Sequence, residues 1–172
     1  MKRTLLCIIV LVATAMAVRA QSVSVYIHDN DGPYSNVRNK PGGAIVDRIP
    51  VDASAMFEVD EPTNGWWHIM DGCYYALGKE DFEEFTLKGS ESGYWIHYSV
   101  IAVGTRNYDG SNLYLRAKPE ADAPVSYTLK GEQMVRPIDV KGEWVKVKTL
   151  NGKGTGWIDA NMLCGNSVTN CS

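Results

Sequence analysis

Three histidines (His28, His68 and His97) and one cysteine well inside the chain (Cys73) are the residues of this 172-residue sequence best suited to covalent or metal chemistry. A thiol beside an imidazole becomes a nucleophile when a helix N-terminus or a neighbouring cation lowers its pKa. Cys73 lies in "DGCYYALG", just after the aromatic run "GWWHI", and no helix opens behind it. The histidines lack the short spacing of zinc ligands. The sequence therefore gives no reason to expect catalysis, a metal or a cofactor.

Binding chemistry has better candidates. Trp66 and Trp144 each open a "W-x-x-I/V" strand, on the face opposite Ile69 and Val147. There an indole offers a large rigid contact and one hydrogen-bond donor for a ligand groove, or else pads the outer edge of the fold. Trp67, Trp95 and Trp157 are expected in packing. Arg38 and Arg116 have the planar fork that holds a carboxylate bidentately, although an arginine at a fixed strand position also caps turns. Tyr94 is a polar-tipped aromatic suited to a sugar or peptide face, as are Tyr34, Tyr98 and Tyr114.

These candidates come in pairs because the chain is a repeat, and a repeat decides the fold before any local signal does. "DGPYSNVRNKP" (Asp31 to Pro41) answers "DGSNLYLRAKP" (Asp109 to Pro119) seventy-eight residues later, and the same offset sets Trp66 on Trp144 and Ile69 on Val147. Beyond Ile69 the offset falls to sixty-two, which brings "YWIHYSVI" (Tyr94 to Ile101) onto "GWIDANML" (Gly156 to Leu163). The first copy thus carries about sixteen extra residues between Met70 and Gly93. Ile101 closes one copy and opens the next, with no linker between them. Alternation at Val23, Val25 and Ile27 and at Val145 and Val147, with the turn "LNGKG", predicts short strands joined by hairpins. The one helical candidate is "GKEDFEEF" (Gly78 to Phe85) in the extra segment, where Phe82 and Phe85 lie three apart. Its acidic stretch, around Glu80 to Glu84, either covers a groove or docks a partner, or else it is a solvated elaboration of a hairpin.

The first twenty residues stand apart. Lys2 and Arg3 precede an apolar run that ends in "VRA", so residues 1–20 are expected to be a secretory signal peptide with Val18 and Ala20 at the cleavage positions. The run is shorter than the roughly 20 residues that span a bilayer, and Cys7 lies too early for a lipoprotein. Loss of Lys2, Arg3 and Arg19 would take the formal charge from −3 to −6, which argues against nucleic acid and anionic membranes as partners. In an oxidising compartment Cys164 and Cys171 are expected to clip the tail as a disulfide, worth about 2 kcal/mol for so short a loop.

The order "N/L-x-R-x-K-P", then "W-x-K-V", then "N-G-K-x-G-W-I" and an apolar residue resembles the bacterial SH3-like domain. Leu113 to Leu163 carries the pattern almost completely. The first copy carries it at "NVRNKPGG", "GWWHI" and "YWI". The resemblance implies an all-β chain of two tandem SH3-like barrels, residues 21–100 (insertion about 70–93) and 101–164, then a tail, 165–172. It also implies a non-catalytic, secreted or periplasmic module whose partner is cell-wall peptidoglycan, through stem peptide or glycan. A periplasmic protein-binding adaptor or inhibitor is the alternative. The cysteine peptidases that accompany such barrels carry an Asp-Cys-Ser-Gly type run, which this sequence lacks.

Overall fold

The computed structural model describes residues 21–78 and 81–171; the expected leader, residues 1–20, lies outside them. The fold is all-β, as expected. The first half runs β1 (Val23–Ile27), β2 (Tyr34–Arg38), β3 (Ile45–Pro50), β4 (Met56–Thr63), β5 (Trp66–Ile69), β6 (Cys73–Leu77), β7 (Phe82–Thr86) and β8 (Trp95–His97). The second runs β9 (Ile101–Thr105), β10 (Asn112–Arg116), β11 (Val125–Lys130), β12 (Met134–Lys141), β13 (Trp144–Thr149), β14 (Thr155–Asp159) and β15 (Leu163–Cys164).

The pairings repeat with the sequence. Arg38 faces Trp95 across β2 and β8, and Arg116 faces Trp157 across β10 and β14. In both halves a bulge falls immediately before the arginine, between Val37 and Arg38 and between Leu115 and Arg116. In each half the extra residue lies in the partner strand, Val46 of β3 and Ser126 of β11, beside the point where the Lys-Pro pair ends the arginine strand.

The two halves share one strand path, β11-β10-β14-β13-β12-β9-β1-β4-β5-β8-β2-β3, whose ends do not meet, so the sheet is not closed. Its hinge is β9. That strand pairs with β1 through Ile27 and Ile101, with β12 through Val103 and Val135, and with β15 through Thr105 and Leu163. Alternation alone would expose Tyr26 of β1, yet it is buried along with Val25 and Ile27, because β1 is flanked by β4 and β9 at the joint. The fully buried core residues include Val37, Ile49, Val59, Trp67, Ile69 and Ile96 in the first half and Leu115, Leu129, Val135 and Val147 in the second.

One expectation fails. Among its described residues the extra segment holds no α-helix: Met70–Gly72 is a single 3₁₀ turn, and β6 and β7 form a hairpin pairing Tyr74 with Phe85 and Leu77 with Phe82. Phe82 and Phe85 therefore point to opposite faces, as residues three apart in a strand must. The ring of Phe85 stacks on Tyr74, with centroids 5.2 Å apart and planes 13° apart. An eight-residue helix is marginal in isolation, whereas the hairpin buries Tyr74, Ala76 and Leu87 in the core.

Candidate functional site

In the first half, β2, β5 and β8 bring Arg38, Trp66 and His97 together with Asp29, Asn36 and Val100 around an open cavity of about 300 Å³. The β5–β8 register places Trp66 directly opposite His97, and their rings meet edge to face with centroids 5.1 Å apart. The Arg38 guanidinium lies 5.6 Å from the Trp66 ring centroid, within cation–π range. One of its nitrogens donates to the Gly43 carbonyl at 2.5 Å, which anchors the side chain to the turn and leaves other N–H groups of the fork for a ligand. Asp29, which lines the same cavity, is fixed by accepting from the Ser35 hydroxyl at 2.8 Å and from the Asp31 amide at 3.0 Å.

Burial and then the nearby charge of Arg136 hold His97 below the usual imidazole range. The same two causes lower His28, with Asp29 acting in the opposite sense. The groove therefore keeps its imidazole neutral near pH 7, and its fixed charges are the Asp29 carboxylate and the Arg38 guanidinium. Such a site offers opposite charges to a ligand that carries both.

The corresponding positions of the second half are differently furnished. Asn107, Tyr114, Asp159 and Met162 stand where the first half has Asp29, Asn36, His97 and Val100. Arg116 donates to the Ala123 carbonyl at 3.2 Å, again anchoring a turn, and its register partner Trp157 is buried beneath the Lys146 ammonium, 5.8 Å from the ring centroid. Trp144 is half-buried, with Asp159 and Lys141 as its strand partners.

Tyr94 is engaged within the chain. Its hydroxyl lies 3.0 Å from the Leu87 carbonyl and 3.1 Å from that of Ser90, tying the end of the insertion to β8. His68 is taken up by Asp60, Nδ1 to Oδ1 at 2.8 Å, with Trp95 tilted against its ring. Cys73 is half-buried, and burial followed by the charges of Glu84 and Asp71 pushes its thiol up, opposite to what a thiolate nucleophile needs. Among the described residues no group of three His, Cys, Asp or Glu side chains is placed to hold a metal ion, and no helix is long and apolar enough to cross a membrane. Cys164 and Cys171 are joined as a disulfide.

Sequence reasoning placed Arg38 and Trp66 in a groove but missed Asp29, Asn36 and His97. A signal for His97 existed: the offset of sixty-two sets it on Asp159, and both cap the 3₁₀ turn that follows. His97 accepts from the Ser99 amide at 3.3 Å and Asp159 from the Asn161 amide at 2.8 Å.

The doubled strand order, the bulge beside each arginine and the Trp-Ile strand that pairs with it define an SH3-like β protein. Residues 111–163 match the bacterial SH3 domain family, within the half that carries the sequence pattern most completely. Among curated proteins no match is found. Solved structures of NlpC1 and NlpC2 from Trichomonas vaginalis align with 87% and 84% of this chain at 10% and 12% identity, with TM-scores of 0.32 and 0.30. The chain covers 48% of each, about half their length. Likeness that slight carries no functional argument.

Proposed function

We propose that the chain is an exported, non-catalytic binding protein of two SH3-like units, residues 21–100 and 101–164, and that it binds cell-wall peptidoglycan through its stem peptides. The observation that carries this reading is the first-half groove, in which an anchored guanidinium lies over an indole and a fixed carboxylate lines the same cavity. A stem peptide presents a carboxylate for the Arg38 fork, an ammonium for Asp29 and an aliphatic stem for Trp66. The second unit supports the first through the shared strand β9.

Sedimentation of residues 21–172 with purified insoluble peptidoglycan tests the reading. Wild-type protein and Trp144→Ala are expected in the pellet, and Trp66→Ala and Arg38→Ala in the supernatant. Wild-type protein left in the supernatant overturns wall binding. A second reading, docking of a secreted protein, draws on the outer face of the β6–β7 hairpin, where Tyr75 and Leu77 are exposed beside Glu84. In that case the protein stays in solution with peptidoglycan, and Leu77→Asp abolishes capture of its partner.

A further inference from the structure

A second cavity, of about 640 Å³, more than twice the volume of the groove, lies where the C-terminal tail crosses the joint of the two halves. Its floor is formed by Gly104 and Thr105 of β9, by residues 132–134 at the start of β12 and by the hairpin turn after β13; residues 166–170 form a wall, and Tyr26 of β1 closes one side. None of the six groove residues lines it.

The wall is held in place. The Cys164–Cys171 disulfide closes the tail into a loop, and Asn166 Oδ1 accepts from the amides of Val168 and Thr169 at 2.8 and 2.9 Å. Arg106 donates to the Cys171 carbonyl at 3.1 Å, and the Cys171 amide donates to the Tyr108 hydroxyl at 3.0 Å. Gly165 lets the tail lie on β1: a Cβ there would come within 2.3 Å of the Ser24 backbone carbon.

The lining has a definite chemistry. Tyr108, Met134, Leu150 and Val168 are 37–48% exposed, and all four converge on this one cleft rather than scattering as ordinary surface residues do. Asn151, Asn166 and Asn170 also line it; the Asn151 carboxamide oxygen accepts from the Thr149 hydroxyl and the Lys153 amide, which leaves its NH2 group as the donor. Among the described residues Glu132 is the one charged side chain that lines the cavity, and none of the lining residues is a lysine or arginine. A carboxylate-bearing ligand would meet repulsion here. Burial and the charge of Glu132 push the Tyr26 phenol up to about 12, so it remains a donor throughout the physiological range. The volume falls within the ~300–1,000 Å³ usual for small-ligand sites.

We propose that this cleft binds a short uncharged run of N-acetylated sugars, whose apolar ring faces lie on the Tyr108–Met134–Leu150–Val168 surface and whose hydroxyl and acetamido groups meet Glu132 and the asparagine amides. The proposal rests on the wall-binding reading for the source of the glycan, and it divides the ligand between two sites: stem peptide in the first-half groove, sugar strand at the joint.

The test titrates the trimer of N-acetylglucosamine and, separately, a free stem tripeptide into isotope-labelled residues 21–172, following backbone amides by NMR. The trimer is expected to shift Gly104, Thr105, Gln133, Asn151 and residues 166–170, and the tripeptide to shift Arg38, Trp66 and His97. Met134→Glu places a second carboxylate in the cleft and is expected to weaken the trimer about tenfold or more while leaving the tripeptide unchanged; Trp66→Ala is expected to do the reverse. If Met134→Glu loses its dispersed spectrum, Leu150→Asp on the exposed hairpin turn makes the same test. No trimer shifts, shifts at the groove instead, or unaltered trimer affinity in the charged variant would each overturn the proposal. Failure of the tripeptide alone would sink the groove reading and leave the glycan site standing.

Discussion

Trp67 shows how one side chain serves both halves. Its ring is fully buried in the first half, and its Nε1 donates at 3.0 Å to the carbonyl of Pro137 in the second. That carbonyl is free to accept because β12 breaks register with β13 between Pro137 and Asp139. Trp67→Phe keeps most of the ring and orphans the acceptor, so it is expected to cost about 1–3 kcal/mol, whereas Trp67→Ala adds a cavity and should cost about 3–5 kcal/mol. Denaturant midpoints measure both, and a Phe variant as stable as wild type would refute the bond's contribution. Gly165→Ala forces a Cβ into the Ser24 backbone and is expected to lower stability by about 1–3 kcal/mol, as overpacking does; a thermal melt unchanged by the substitution would contradict the close approach. The sequence made part of this legible. Alternation from Ile69 put Trp67 on the core face, but its partner seventy residues away depends on a bulge that no alternation encodes. Arg38 and Trp66 were legible because each has a counterpart in the repeat. Asp29 and Asn36 were not, because their counterparts, Asn107 and Tyr114, differ in type.

At the scale of elements, the turns that follow β8 and β14 do the same job with different caps, and the difference gives the protein a pH response. His97 replaces the carboxylate of Asp159, and His28 lies nearby with its pKa lowered by burial and by Arg136. Each imidazole takes a proton more readily in the unfolded chain, near pH 6.5, than in the fold. Their contribution is therefore complete above about pH 6.5 and is lost progressively as the pH falls from there through the lower folded values. The melting temperature is expected to decline between about pH 7 and 5, and His97→Asn, which retains an acceptor for the Ser99 amide, is expected to flatten that decline. A wild-type profile level across this range would refute it. The β6–β7 hairpin shows the limit of local pattern. A three-residue spacing puts Phe82 and Phe85 on one face of a helix and on opposite faces of a strand, and what decides for the strand is the cross-strand partner Tyr74 and the burial of Leu87, both outside the window in which the spacing is read.

At the scale of the whole molecule, the repeat predicts two units while the strand path makes one sheet of them. Strand β9 cannot leave either half without stripping partners from β1, β12 or β15. The Arg136 guanidinium is half-buried at the same joint. It donates to the Ile101 carbonyl at 2.9 Å and lies 3.4 Å from the carbonyls of His28 and Tyr98, so one side chain of the second half bonds the backbone that enters and leaves the first. Independent beads would melt separately, whereas units joined by a common strand, a buried indole and this guanidinium are expected to melt together. Calorimetry of residues 21–172 should therefore show one transition whose van't Hoff and calorimetric enthalpies agree. Arg136→Met orphans those carbonyls at the joint and leaves the core residues of each half in place. It is expected to lower the midpoint and to resolve two transitions, the second half, with its disulfide-clipped tail, melting at the higher temperature. Two transitions in the wild type would mean that β9 is a linker that happens to be extended; a single unshifted transition in Arg136→Met would mean that coupling runs through the strand alone.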